Sequence, residues 1–349
     1  MEGAKARILV VDDIDINRII LKEMLKDTYE IEEAENGKVA IARLLNSIEK
    51  PSLILLDVMM PEMDGFTTLQ IIKSNPQLAK IPVIFITAAA DEEQRGLAAG
   101  AVDYVVKPFK PEIVLLRVGT HIELTQYREK LEKLVDQKAN ELVAAKETFL
   151  ETMANLIEYR SVESGQHVKR TKDLSALLVR KLLQEGPYAD ELASMNYGAL
   201  IKAVPLHDIG KIAIPDSILL KPGKLTPEEF AVIETHTTVG GQVISSLIIS
   251  GQDDEYLKHC YDICLYHHER WNGTGYPTKC AGTDIPLSAR IVALVDVYDA
   301  LVTERCYKKA FTHEEAAKII QDSAGTHLDP AIVAAFLDVQ DLFRSYEEN

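Results

Sequence analysis

The chain has 349 residues, 47% hydrophobic and 26% charged, so it is long enough for two domains that each bury a core. Its formal net charge of −16 argues against nucleic acid bound by a broad basic surface, so DNA is not an expected partner. The sequence has no long apolar run and no charged leader before an apolar stretch, which predicts a cytoplasmic protein without membrane contact.

The N-terminal part of the chain contains four short apolar runs with polar residues at their ends. The runs are Arg7–Val11, Ser52–Asp57, Ile81–Thr87 and Asp103–Val106. Amphipathic segments such as Ile16–Leu25 and Val39–Leu45 separate them, which predicts a doubly wound α/β domain with a parallel sheet. In this fold the polar residues at the carboxyl ends of the strands form the site.

Three carboxylates, those of Asp12, Asp13 and Asp57, lie at the ends of two predicted strands. They would repel one another unless a hard cation such as Mg²⁺ lay among them. Thr87 and Lys107 lie at the ends of the next two strands. This pattern resembles the receiver domain of response regulators, and we expect that domain at residues 1–124.

The receiver resemblance implies a role for each of these residues. Asp57 would accept a phosphoryl group from a cognate histidine kinase, and all three carboxylates would bind Mg²⁺. Lys107 would pair with the phosphoryl oxygens. Thr87 and Tyr104 would form the switch that responds to phosphorylation.

Residues 112–149 contain no proline and predict one long helix. Its apolar stripe consists of Leu124, Leu131, Val135, Leu142, Ala145 and Phe149, with an interruption at Lys138. The spacing is typical of a parallel coiled coil, so residues 125–149 are predicted to link the domains and join two protomers in a homodimer. A helix on the protein's own surface would give the same short pattern, and this alternative stays open.

The segment Leu206–Pro215, with sequence LHDIGKIAIP, places His207 beside Asp208. Its apolar positions are Ile209, Ile212 and Ile214. They predict a buried segment, where an unpaired imidazole or carboxylate is costly. On a helix, Lys211 would share the face of the pair, and a metal beside an ammonium is the outline of a phosphate site. An Asp that only orients a core His would give the same dipeptide.

A second block, residues 267–277, reads HHERWNGTGYP and joins two histidines to a glycine-rich loop. The HD pair followed by HHExxxGxGYP resembles the HD-GYP phosphodiesterases, a subgroup of the HD phosphohydrolases, from about Glu158 to Ala324. The resemblance implies an all-α HD-type metallohydrolase domain at residues 150–349. It also implies metal-dependent hydrolysis of cyclic di-GMP to pGpG, with further cleavage to GMP left open.

Eight positions match the metal-ligand motifs of this family. They are Glu163, His167, His207, Asp208, His236, His267, His268 and Asp296. Histidines and carboxylates without a thiolate favour Fe or Mn, with Zn or Ni as alternatives. Glu163 has the spacing that accompanies a third metal in some relatives, so two or three divalent metals are expected, and a solvated Glu163 is the alternative. Asp299 is expected to support a ligand rather than to bind metal.

The same resemblance assigns catalysis to Asp208 and Lys211, and contact with the substrate phosphates to Lys211, Arg305 and Lys308. Tyr276, in the loop beside the two histidines, could stack on a base or contact a partner such as a diguanylate cyclase. Two other functions stay open: a non-catalytic adaptor that binds cyclic di-GMP or a diguanylate cyclase, and a hydrolase of another cyclic dinucleotide. The four cysteines form no CxxC pair and are predicted to be reduced.

Overall fold

The computed structural model describes residues 5–88, 91–161, 165–184, 186–248, 254–303 and 309–344. The chain divides into two compact units, Met1–Asn140 and Glu141–Asn349. The first contains one parallel β-sheet, and the second is built from helices. The predicted fold class, an α/β part followed by a long helix and an all-α part, is confirmed.

The sheet of the first unit has five parallel strands in the order β2-β1-β3-β4-β5. The strands are β1 Arg7–Val11, β2 Glu30–Ala34, β3 Leu53–Asp57, β4 Val83–Thr87 and β5 Asp103–Val106. The helices between them are α1 Asp15–Leu25, α2 Gly37–Asn46, α3 Gly65–Ser74 and α4 Asp91–Ala98. The sequence prediction missed β2 because this edge strand, EIEEA, contains three glutamates and no apolar run.

Helices cover both faces of this sheet, so the central strands β3 and β4 are buried along their whole length. Alternate side chains enter two separate cores, one with α2 and α3 and one with α1 and the helix that begins at Pro111. The parallel register pairs Val11 with Leu56 and Asp57 with Ile86. It therefore brings the ends of β1, β3 and β4 to one edge of the sheet.

Helix α5, Pro111–Arg160, is continuous and runs past Phe149, where the sequence prediction placed its end. Its first turns pack Val114 and Val118 against the sheet. Its last turns contribute Leu150, Ala154 and Ile157 to the core of the second unit. The apolar stripe is 57–72% exposed at Leu124, Leu131, Val135, Leu142 and Phe149. In the later turns, Leu156 and Tyr159 are exposed to 57% and 80%.

The second unit is helical, and the described residues outside the first unit contain an isolated bridge, Ala324 to Leu328, but no strand. After α5 its helices are α6 Gly165–Gln184, α7 Ala189–Ser194, α8 Tyr197–Ala203, α9 Asp216–Leu219, α10 Pro227–Leu247, α11 Glu255–Tyr266, α12 Leu287–Val302, α13 His313–Asp322 and α14 Pro330–Arg344. One apolar core joins most of them. Within the described ranges, no helix combines the length and apolar character that crossing a bilayer requires.

Candidate metal centre and receiver site

His207 and Asp208 lie between two short 3-10 turns, Val204–Leu206 and Ile209–Ala213. Both side chains are buried, and so are Ile209 and Ile214. Ile212 was also predicted to be buried, and this was wrong, because the turn presents its side chain outward with 54% exposure. The segment is not the continuous helix that was considered from the sequence.

Gly210 allows this second turn to approach α10 closely. A Cβ atom at position 210 would lie 1.9 Å from the carbonyl oxygen of His236 and 2.6 Å from the backbone nitrogen of Gly240. No side chain other than hydrogen fits there. The close contact brings Asp208 Oδ1 to 3.2 Å from His236 Nε2.

The remaining predicted ligands reach Asp208 from other helices. His167 lies in α6, His236 in α10 and Asp296 in α12, while His267 and His268 directly follow α11. Asp208 belongs to two groups of candidate ligands that could each hold a metal ion. One group consists of Asp208, His236, His267 and His268, and the other of His167, His207 and Asp208. The structure thus brings these residues together from five separate segments.

Asp296 lies beside the second group, on the side of α12. Its Oδ1 atom is 3.9 Å from His167 Nε2 and 4.0 Å from His207 Nε2. Asp208 Oδ2 lies 3.1 Å from the same His207 Nε2. Two carboxylates therefore flank the two imidazoles.

Four of the histidines are oriented by hydrogen bonds at Nδ1. His207, His236 and His267 contact the backbone carbonyls of Val204, Ile233 and Ile263 at 3.0, 2.6 and 2.8 Å, and His167 contacts Asp299 Oδ2 at 2.6 Å. A neutral imidazole that donates from Nδ1 keeps a lone pair at Nε2. The Nε2 atoms of His236 and His267 are 3.5 Å apart, and two lone pairs at this distance suit a shared cation.

The cluster contains buried polar atoms without a hydrogen-bond partner among the described residues. These atoms are His167 Nε2, His207 Nε2 and Asp208 Oδ1. Each such atom costs about 1–3 kcal/mol when nothing binds it. Divalent cations would coordinate these atoms, because a neutral imidazole nitrogen and a carboxylate oxygen are donors of the kind that bind metals. The donor set therefore fits two neighbouring divalent cations that share Asp208.

Burial and neighbouring charges set the protonation of the cluster. Burial, with the neighbouring imidazoles, holds the pKa of His267 well below its usual range and lowers the pKa of His268 to about 3. Burial would raise the pKa of Asp208, but the charges of Lys211 and His207 outweigh it and hold that pKa low. For His207 burial is likewise outweighed, and the Asp208 carboxylate raises its pKa to about 10. A cation bound at Asp208 would oppose that last shift.

Asp299 supports His167 from α12, in the role expected from the sequence. Besides His167, its carboxylate accepts hydrogen bonds from Arg170 Nε at 2.6 Å and from a terminal nitrogen of the same guanidinium at 3.1 Å. Burial would raise the pKa of Asp299, but these bonds outweigh it and lower that pKa. The anionic carboxylate therefore keeps His167 in one tautomer.

Lys211 lies at the edge of the cluster. Its Nζ atom is 2.7 Å from Asp208 Oδ2 and 3.5 Å from Glu158 Oε1. Glu158 is buried in the last turns of α5. Sequence reasoning did not select it, because one Glu in a helix forms no motif, although the family resemblance begins at this residue.

The glycine-rich loop places Tyr276 on the ring of His268, with centroids 4.9 Å apart and planes inclined by 28°. Glu269 holds this loop, since its buried Oε1 accepts hydrogen bonds from Thr278 N, Thr278 Oγ1 and Lys279 N at 2.6, 2.8 and 2.9 Å. Sequence reasoning did not assign a role to Glu269. The available signal was its fixed place in the HHE motif.

Three predicted site residues lie outside the described residues: Glu163, Arg305 and Lys308. Their roles as a metal ligand and as contacts of the substrate phosphates stay predictions. Arg305 and Lys308 follow α12, which carries Asp296.

In the first unit, Asp12, Asp13 and Asp57 form a third group that could hold a metal ion. Asp12 and Asp57 are buried and Asp13 is exposed. Lys107 Nζ lies 2.9 Å from Asp57 Oδ1 and 3.0 Å from Asp12 Oδ2. Burial raises the pKa of Asp57 to about 6, although the hydrogen bond from Lys107 opposes this shift.

The two predicted switch residues lie on neighbouring strands. Thr87 is buried at the end of β4, and its carbonyl oxygen accepts a hydrogen bond from Lys107 N at 2.9 Å. Tyr104 in β5 pairs with Phe85, and the Arg117 guanidinium lies 4.9 Å from its ring centroid. The structure therefore links Thr87 to the Asp57 site through Lys107, and Tyr104 to the start of α5 through Arg117.

Residues 8–118 match the family of response regulator receiver domains, and residues 151–332 match the HD domain family. A probable cyclic di-GMP phosphodiesterase of Vibrio cholerae serotype O1 is 40% identical over 96% of this chain and 78% of its own. A cyclic di-GMP phosphodiesterase of Thermotoga maritima is 35% identical over 97% and 92%. The cyclic di-GMP phosphodiesterase response regulator RpfG of Xanthomonas campestris pv. campestris is 34% identical over 95% and 86%. Each similarity extends over both units.

Proposed function

The chain belongs to the response regulators that join a receiver domain to an HD domain, and from this premise we propose that it hydrolyses cyclic di-GMP with bound divalent metals. One observation carries the proposal: the buried Asp208 carboxylate is shared by two groups of inward-facing histidines. A metal pair bridged by a carboxylate is a common device for cleaving phosphodiesters. The names of the aligned relatives support cyclic di-GMP as the substrate.

The metals would supply Lewis acidity at the phosphoryl oxygens and an activated water. His167, His207, Asp208 and Asp296 would hold one of them, and Asp208, His236, His267 and His268 the other. Neither set includes a thiolate, which favours Fe or Mn over Zn or Ni. A third metal would depend on Glu163.

The other side chains would bind and orient the substrate. Lys211 Nζ lies 2.7 Å from Asp208 Oδ2, where an ammonium would offset negative charge that develops on the phosphoryl oxygens during cleavage. Arg305 and Lys308 would do the same for the second phosphate. The Tyr276 ring stacks on His268, and its centroid lies 6.4 Å from that of Phe230. An aromatic ring beside the metal ligands would stack on a base of the substrate. Cleavage of one ester would give linear pGpG.

The activity is tested with protein purified without oxygen. Its metals are measured by elemental analysis, and the products from cyclic di-GMP are identified by mass spectrometry, with a second cyclic dinucleotide in parallel. We expect two or three Fe or Mn ions per chain and pGpG as the first product. Exclusive hydrolysis of the second dinucleotide would establish the rival hydrolase. Binding of cyclic di-GMP without turnover by metal-replete protein would establish the adaptor.

We further propose that a histidine kinase phosphorylates Asp57 in the presence of Mg²⁺ and that this controls hydrolysis. A phosphoryl group adds about −1.5 to −2 of charge. Lys107 contacts Asp57 through its side chain and Thr87 through its backbone nitrogen. A movement of Lys107 toward the added charge would therefore also act on Thr87. Arg117 connects the neighbouring Tyr104 to α5.

The exposed stripe of α5 supports a homodimer as the means of transmission. A water-exposed apolar seam along a helix is what a second copy of the same helix covers in a coiled coil. Because such seams have discrete packings, a shift at one end can reach the other.

Beryllofluoride, which mimics the phosphoryl group, tests the proposed control. We expect it to change turnover and light-scattering mass in the wild type and to change neither in Asp57→Asn. Leu131→Asp in the stripe should abolish the effect, whereas Lys133→Asp, an exposed change off the stripe, should preserve it. If Leu131→Asp leaves the response intact, transmission through a dimeric helix is wrong.

A further inference from the structure

The last residue of α5, Arg160, is bound to the turn that carries Lys211. Its guanidinium donates hydrogen bonds to the carbonyl oxygens of Lys211, Ile212 and Ile214 at 3.3, 3.1 and 2.7 Å. Carbonyls at the end of a helical turn have lone pairs that the turn itself does not use. The planar guanidinium, with five donors in a fixed fork, can bind several of them at once. Arg160 therefore holds the backbone of this turn against α5.

Glu158, two residues before Arg160 in the same helix, contacts the side chain of the same lysine. Its carboxylate is 2% exposed and lies 3.5 Å from Lys211 Nζ, and Ser161 Oγ contacts it at 3.3 Å. A buried carboxylate is costly without a cationic partner, so Glu158 favours a conformation in which the ammonium stays beside it. The same ammonium lies beside Asp208. Backbone and side chain of Lys211 are thus both attached to the end of one helix.

We propose that Glu158 and Arg160 are positioning residues that set the location of Lys211 Nζ relative to Asp208. The inference rests on the proposed function, in which Lys211 acts on the substrate. Since both residues belong to α5, a change at the helix end that is too small to displace Asp208 would still move the ammonium. Control through α5 would therefore change kcat and leave the metal content unchanged.

The test compares two Glu→Gln substitutions in the metal-replete full-length chain. Glu158→Gln keeps the size of the side chain and removes its charge, so we expect kcat to fall about tenfold, with KM and metal content within about twofold of wild type. Glu151→Gln is the matched control. Glu151 lies in the same helix, and its partly exposed side chain pairs with Lys172 at 2.6 Å, so its loss should leave turnover unchanged.

Each substitution is then combined with Lys211→Ala. If Glu158 acts through Lys211, Glu158→Gln causes no further loss in the Lys211→Ala chain. Arg160→Lys provides a second route if Glu158→Gln does not fold, because Arg160 lies partly at the surface and the change keeps its charge. The lysine side chain lacks the forked guanidinium that binds the three carbonyls, so we expect Arg160→Lys to have a lower kcat and an unchanged circular dichroism spectrum.

The outcomes separate this inference from the proposed function. An inactive, metal-replete wild type would refute the proposed function. With an active wild type, a Glu158→Gln loss that multiplies with the Lys211→Ala loss, or that comes with loss of metal, would overturn the positioning role of Glu158. Unchanged kcat in Arg160→Lys would overturn the role of Arg160.

Discussion

We expect Gly210→Ala to disable the metal centre, because the added methyl group has no space. Its Cβ atom would lie 1.9 Å from the carbonyl oxygen of His236 and 2.6 Å from the nitrogen of Gly240. Both are backbone atoms, so no side-chain rotation relieves the overlap. The turn that follows Asp208 and helix α10 would have to separate by about 1.5 Å to reach an ordinary contact distance.

A separation of about 1.5 Å is large for this site, since metal–ligand distances tolerate only about 0.2 Å. Asp208 moves with the turn while His236 stays in α10, and these two side chains are now 3.2 Å apart. Overpacking costs about 1–3 kcal/mol, which corresponds to a fall in Tm of several degrees. Misplaced groups at a reaction centre cost about 100-fold in rate. We therefore expect less bound metal and a turnover loss of at least this size.

Elemental analysis, thermal unfolding and turnover of cyclic di-GMP measure the three effects. Gly241→Ala is the matched control: the nearest atom to its Cβ is Leu265 Cδ1 at 3.4 Å, an ordinary contact. It lies within α10, where Ala is favoured over Gly by about 1 kcal/mol, so stability should be retained or raised. If Gly210→Ala bound its full metal content and turned over like the wild type, the close approach would not be a requirement of the site.

Other substitutions separate metal binding from substrate contact. Asp208→Ala should abolish turnover and lower the metal content, whereas Lys211→Ala should keep the metals and lose rate; near-normal turnover in Asp208→Ala would contradict its assignment as a shared ligand. Glu163→Ala should remove one metal of three and leave a slower two-metal centre, and a wild type and variant that both hold two metals would assign Glu163 to solvent. Burial raises the pKa of the Cys260 thiol well above its usual range, so alkylation of the native protein followed by peptide mapping should find Cys260 unmodified and Cys280 labelled.

The site residues that could be predicted are those that belong to short sequence motifs of metal-binding side chains. His207 and Asp208 are adjacent in sequence, and together with the HHExxxGxGYP block they predicted a metal site before the fold was known. The convergence of His236 on them could be expected only from the resemblance, since the contact depends on the glycine at position 210. Four strands were predictable because each contains an apolar run. Strand β2 was not predictable, because as an edge strand it carries mostly polar side chains.

The residues that were missed act through contacts distant in sequence. Glu158 meets Lys211 only after α5 and the HD segment have packed, and no spacing within either segment indicates this. Glu269 belongs to the HHE motif, but its hydrogen bonds to Thr278 and Lys279 depend on how the loop folds. The motif alone does not indicate these bonds. A single sequence does not show which distant residue a charged side chain will contact.

The hydrogen bonds at Nδ1 have a consequence for the exchange of metals. His207, His236 and His267 are held by carbonyls of their own helices or turns, so their orientation is stored in the backbone and does not depend on the ion. We therefore expect chelation to leave a shaped, refillable site. Which divalent metal fills such a site is then set by its fixed geometry, by its donors and by the metals that are available. Turnover in the cell would then follow the supply of metal as well as the state of Asp57.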